Sequence, residues 1–93
     1  AEGILFKVQL GAFKNNVPYK MVEAFLNISE KGITRETDSR GLHIFYAGSF
    51  TDYRLALALR KEVVDKGVTD AFIVALRNGQ RITISEALKS GGN

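Results

Sequence analysis

Apolar and polar positions alternate along residues 4–10, placing Phe6, Val8 and Leu10 on one face of a strand and Leu5, Lys7 and Gln9 on the other. Pro18 suits the first turn of a helix, where its missing N–H costs nothing. Val22, Phe25, Leu26 and Ser29 follow at helical spacing, and Gly32 ends that helix in a left-handed conformation. Residues 33–38 are mostly polar, as suits an exposed edge strand. A third strand is expected over 42–47. Thr51 or Asp52 caps a second helix whose apolar stripe is Leu55, Ala56, Leu59 and Val63, with Glu62 and Lys66 paired one turn apart. Gly67 stops it, and residues 71–76 read as a fourth strand. Asn78-Gly79 is a hairpin signal that sends 81–84 back as a short strand. A helical turn starts at 85–88, and 90–93 read as a tail.

The pattern repeats. Phe6-Lys7-Val8-Gln9-Leu10-Gly11-Ala12-Phe13 returns as His43-Ile44-Phe45-Tyr46-Ala47-Gly48-Ser49-Phe50, and Glu30-Lys31-Gly32-Ile33-Thr34 returns as Asp65-Lys66-Gly67-Val68-Thr69. Each copy reads strand, helix, strand. The expected fold is therefore α+β: a β-α-β-β-α-β two-layer sandwich (ferredoxin-like, RNP-like), with a four-stranded antiparallel sheet, both helices on one face and a short C-terminal extension. Aligning the copies directs His43, Phe45 and Ala47 toward the helices with Phe6, Val8 and Leu10. Lys7, Gln9, Ile44 and Tyr46 then face outward together with Leu42, and strand four adds Ile73 or its neighbours.

Composition narrows the chemistry. Ninety-three residues make one domain, too few for two cores. Without cysteine there is no disulfide framework, thiolate nucleophile or Cys-ligated metal, and a single histidine argues against a His-based site. No cofactor, metal or catalytic residue is expected. No apolar run has the length of a membrane span. The opening Ala1-Glu2-Gly3 is neither an initiator methionine nor a signal peptide, so the chain reads as a piece of a longer protein. A net charge of +3 is only mildly basic, short of the dense stripe of a duplex binder. An outward cluster of apolar and aromatic side chains with two polar members suggests a binding surface. Its chemistry suits a sugar chain: Tyr46 and the aliphatic groups pack on C–H faces, while Gln9 and Lys7 bond hydroxyls, amides or carboxylates.

The strings around Gln9, the run Tyr46-Ala47-Gly48-Ser49-Phe50 and the run Lys66-Gly67-Val68-Thr69-Asp70-Ala71-Phe72-Ile73-Val74 resemble the SPOR (sporulation-related repeat) domain. Asn78-Gly79-Gln80-Arg81-Ile82 resembles the versions found in the Bacteroidetes. The resemblance spans about residues 4–88. It implies binding to peptidoglycan, in particular to glycan strands stripped of stem peptides at division septa, by a monomeric domain in the periplasm or cell envelope. It places the glycan-contacting glutamine at Gln9 and the fourth-strand aliphatic contact at Ile73. It also places a position that often carries a hydroxyl at Ala12, and positions that often carry Trp and Arg at Leu42 and Ile44. Those three lack the usual groups, which leaves Tyr46 and Lys7 to compensate.

Other classes fit less well. An RNA-recognition motif shares the element order, and Arg40-Gly41-Leu42-His43-Ile44-Phe45-Tyr46-Ala47 opens like its third strand, but its stacking rings would fall on Leu42 and Ile44. Ser49, His43 and Asp52 contain triad residue types, yet His43 is expected to face the helices. Glu36 and Asp38 share a strand face as glycosidase carboxylates do, without a sign of a pocket. A protein-interaction module using the edge strand or the bare face is the remaining alternative.

Overall fold

The computed structural model describes residues 3–28, 30 and 32–89. The elements run β1 (Ile4–Phe13), α1 (Tyr19–Asn27), β2 (Ile33–Thr37), β3 (His43–Phe50), α2 (Tyr53–Asp65), β4 (Phe72–Arg77), β5 (Gln80–Ile82) and α3 (Ile84–Lys89). One antiparallel sheet holds all five strands in the order β2-β3-β1-β4-β5. The sheet thus has one strand more than the four expected. The expected short return strand forms over Gln80–Ile82 and joins the sheet beside β4, Ala75 pairing with Ile82 and Arg77 with Gln80. Asn78 (φ 51) and Gly79 (φ 86) form that two-residue turn, the pair of positive φ values that a tight hairpin with matching twist requires.

The helices pack on one side. Val8, Leu10 and Ala47 of the sheet meet Ala24 and Phe25 of α1 and Leu59 and Val63 of α2, with Ile28, Val68 and Ala71 closing the cluster. A second cluster joins Ile4, Phe6 and Ala75 to Ala56 of α2 and Ala87 of α3. The C-terminal helix therefore folds against the same side as α2 and leaves the other sheet face uncovered by any described helix. Phe13, Phe25 and Phe45 stack in tilted pairs 5.3 to 6.4 Å apart around the end of α1.

The stripe expected on α1 is rotated. Ala24 and Phe25 are buried, whereas Leu26 is 68% exposed and Val22 40%. A nine-residue helix has room for one short contact line, and the bulky Phe25 claims it. On α2, Ala56, Leu59 and Val63 are buried as expected while Leu55 is exposed. Ser29 and residues 90–93 lie outside the described residues.

Asp52 caps α2: its Oδ1 accepts the Arg54 N–H at 2.9 Å, and its carboxylate also holds the Arg54 guanidinium. The hydrogen bonds from that guanidinium, then from the Arg54 N–H, hold the Asp52 carboxyl below the ordinary carboxylate value. A lowered folded value means that the cap's contribution is present above the unfolded value and is lost as pH falls through the folded one. Melting temperature is expected to drop between about pH 5 and about pH 2 by less in Asp52→Asn than in the parent. An equal drop in thermal melts of the two would remove Asp52 as a contributor. Glu62 and Lys66 pair one turn apart at 3.5 Å, as the spacing predicts.

Candidate functional site

Two bulges shape the centre of the uncovered face. Phe6 pairs with Phe50 and Val8 with Ala47, so Gly48 and Ser49 together oppose Lys7. Gln9 then pairs with Tyr46 but Gly11 with Phe45, leaving Leu10 as an extra residue in β1. Bulges increase local twist and re-aim side chains. Gln9 sits between them, where the central strand pair bends.

Across the sheet, Gln9 pairs with Tyr46 on one side and with Phe72 on the other. This makes a row in which an amide lies between two aromatic rings. Both Gln9 (8% exposed) and Tyr46 (5%) are nearly buried, whereas Phe72 is 44% exposed. The expectation that Gln9 and Tyr46 stand out in solvent is thus corrected: they face the open side but form its floor. Lys7 covers the Tyr46 ring, its Nζ 5.5 Å from the ring centre and 3.7 Å from Glu36. On the other flank the Arg81 guanidinium stands 6.0 Å from the Phe72 ring. Burial, and then the Glu36 charge, push the Tyr46 phenol above its ordinary value, so it stays a neutral hydroxyl at physiological pH. The Gln9 Oε1 is buried and accepts no hydrogen bond. A buried acceptor left unpaired costs about 1–3 kcal/mol.

A shallow depression of about 260 Å³ adjoins this row on the open face. Glu36, Asp38 and Arg40 from β2 and its turn, Ile44 and Tyr46 from β3, Leu76 from β4 and Arg81 from β5 line it. Asp38 fixes the turn: its Oδ1 accepts the Arg40 and Leu42 N–H groups at 2.8 and 3.0 Å, and its Oδ2 holds the Arg40 guanidinium. Desolvation acts to raise the Asp38 carboxyl, but the hydrogen bonds from Leu42 and Arg40 outweigh it and keep it below the ordinary value.

Among the expected site residues, Lys7, Gln9, Ile44 and Tyr46 come together on this face, and Ala12 joins them opposite Ile44. Leu42 lies half-buried at the mouth of the β2–β3 turn. Ile73 does not belong. It pairs with Val8 and packs into the helix-side clusters, so its side chain is on the other side of the sheet. The outward residues of β4 are Phe72, Val74 and Leu76, because they oppose Gln9, Lys7 and Leu5. Phe72 is among the neighbours of Ile73 that the sequence leaves open, whereas Arg81 and Glu36 do not enter the sequence reading of this face. The run from Phe72 to Leu76 is apolar throughout and gives no alternation to read; only pairing with β1 decides it.

The triad types do not meet. His43 pairs with Phe13 and its Nδ1 lies 3.3 Å from the Thr37 hydroxyl, while Ser49 is six residues along the same strand, about 20 Å away. Asp52 is held by Arg54. Of the paired carboxylates, Glu36 bonds Lys7, and Asp38 has its acidity increased, the opposite of what a general acid needs.

No protein-family model matches the chain, and it has no match among curated proteins or among solved structures. No described helix is long and apolar enough to cross a membrane.

Proposed function

We propose that this chain is a non-catalytic peptidoglycan-binding domain of the SPOR kind. It takes peptide-stripped glycan strands on the open face of a ferredoxin-like two-layer sandwich and acts as a monomer in the bacterial envelope. The observation that carries this reading is the buried, unpaired Oε1 of Gln9, a residue that pairs across the sheet with Tyr46 on one side and Phe72 on the other. An acceptor kept without a partner at a cost in stability is what a site for a donor-bearing ligand contains. The N-acetyl groups of the glycan carry such N–H donors. The half-exposed Phe72 ring offers a surface for sugar C–H faces, in place of the ring absent at Leu42 and Ile44. Lys7, drawn over the floor by Glu36, is placed to meet a lactyl carboxylate. The open face mixes both signs of charge, Lys7, Arg40 and Arg81 against Glu36 and Asp38, which suits a polar saccharide better than a phosphate polymer.

Gln9→Leu separates a binding role from a structural one. It keeps the volume and removes the orphaned acceptor, so the variant is expected to melt at the same temperature as the parent or higher. Its retention on isolated cell-wall sacculi is expected to fall about tenfold, the loss of roughly one good hydrogen bond. Phe72→Ala is expected to weaken retention with little change in melting, since the ring is half-exposed. Undiminished retention in both variants, with the fold intact, would exclude the open face as the binding surface.

A further inference from the structure

The other side of the sheet carries a larger cleft. Its volume is about 590 Å³, within the range of small-molecule sites, and it is lined by Lys14, Asn15, Asn16 and Val17 of the β1–α1 loop, Arg35 of β2, and His43 and Phe45 of β3. Strand alternation separates this cleft from the open face. Arg35 pairs with Phe45 and Thr37 with His43, whereas Glu36 pairs with Ile44 on the opposite side. The acidic side chains of β2 and its turn, Glu36 and Asp38, thus line the open face, and among the described residues no acidic side chain lines the cleft. Among the described residues neither Lys14 nor Arg35 has an ion-pair partner, although Lys7, Arg40, Arg54 and Lys66 all do. The His43 ring is oriented by the Thr37 hydroxyl at its Nδ1, which leaves Nε2 as the ring atom without a protein partner.

We infer that this cleft binds the phosphate group of a small, hydroxyl-rich molecule such as a sugar phosphate. Lys14, Arg35 and His43 come from three separate elements and border one cleft, so three donor groups are available to a single ligand. That arrangement matches a tetrahedral oxyanion better than a planar carboxylate, which one guanidinium fork can satisfy alone. Asn15 and Asn16 add amide donors and acceptors beside the cations, the groups that pair with hydroxyls. Phe45 adds an aromatic ring to the lining. The site lies behind the sheet from Gln9 and stands or falls apart from the glycan reading.

The test is an NMR titration of the nitrogen-15-labelled chain with glucose 6-phosphate at fixed ionic strength, beside glucose and acetate. Saturable shifts are expected at Lys14, Asn15, Asn16, Arg35 and His43, with Gln9 and Tyr46 unmoved. Glucose and acetate should fail to saturate the same signals. Arg35→Ala, on an exposed edge strand, is expected to weaken the phosphate ligand about tenfold, the usual effect of losing a charge-assisted contact, with the spectrum otherwise unchanged. Four results would overturn the inference: glucose or acetate binding as tightly, shifts spread over Arg54 and Lys61 without saturation, shifts centred on the open face, or an Arg35→Ala variant that binds as well as the parent.

Discussion

Phe6→Ala is expected to lower the unfolding free energy by about 4 kcal/mol, the usual loss for a fully buried ring. Phe6 is completely inaccessible and stands where three elements converge. Ala56 of α2, Ala87 of α3 and Ala75 of β4 pack in its cluster, and the Tyr53 ring meets it edge-on at 5.3 Å. Three of those neighbours are alanines, which cannot swing inward to fill the space a lost ring leaves. The cavity term is therefore expected to be near its maximum. For a domain of this size the melting temperature should fall by roughly 20 °C. Chemical denaturation of parent and variant gives the number directly, and a loss below about 1 kcal/mol would mean that the cluster collapses around the gap.

The second large effect is expected at Gly48. Its φ is 71°, a conformation that costs an L-residue about 1–2 kcal/mol. A Cβ there would also lie 2.6 Å from Leu59 Cδ2 and 2.7 Å from the Phe50 ring, and overpacking of that kind typically adds 1–3 kcal/mol. Gly48→Ala is expected to cost about 3 kcal/mol in all. Its counterpart in the other repeat is an internal control. Gly11 has no positive φ, and the nearest atoms to its added Cβ are those of the Phe13 ring, at 2.6 Å. Gly11→Ala should cost about half as much. Equal losses in equilibrium unfolding would show that the ring contact, common to both, governs these sites and that the backbone conformation of Gly48 adds nothing.

That pair also shows what the sequence reveals. The repeated Gly-x-Phe step is legible, and in both copies the ring lies back over its own glycine. The element order, the Asp52 cap and the Asn78-Gly79 hairpin are likewise local events, fixed by residues within a few positions of one another. The two bulges are not local. They arise where β1 meets β3, and they move Gly48 and Ser49 together opposite Lys7. Ile73 was misplaced for a related reason: five consecutive apolar residues carry no facing information until β1 supplies a partner. The depth of Tyr46 depends on a long-range contact, because Lys7 reaches across strands over its ring toward Glu36. Phe72 and Arg81 joined the face through pairing between β1, β4 and β5.

The strand order has an outcome for how the molecule comes apart. β1 hydrogen-bonds to β3 and β4, and β2 to β3, so among the four strands of the two repeats every ladder runs from one copy to the other. Within those four strands neither copy forms a ladder of its own, and the β4–β5 hairpin is the one described ladder inside the C-terminal half. Each copy completes the other's sheet, so losing the strands of one repeat strips every ladder from the repeat strands of the other.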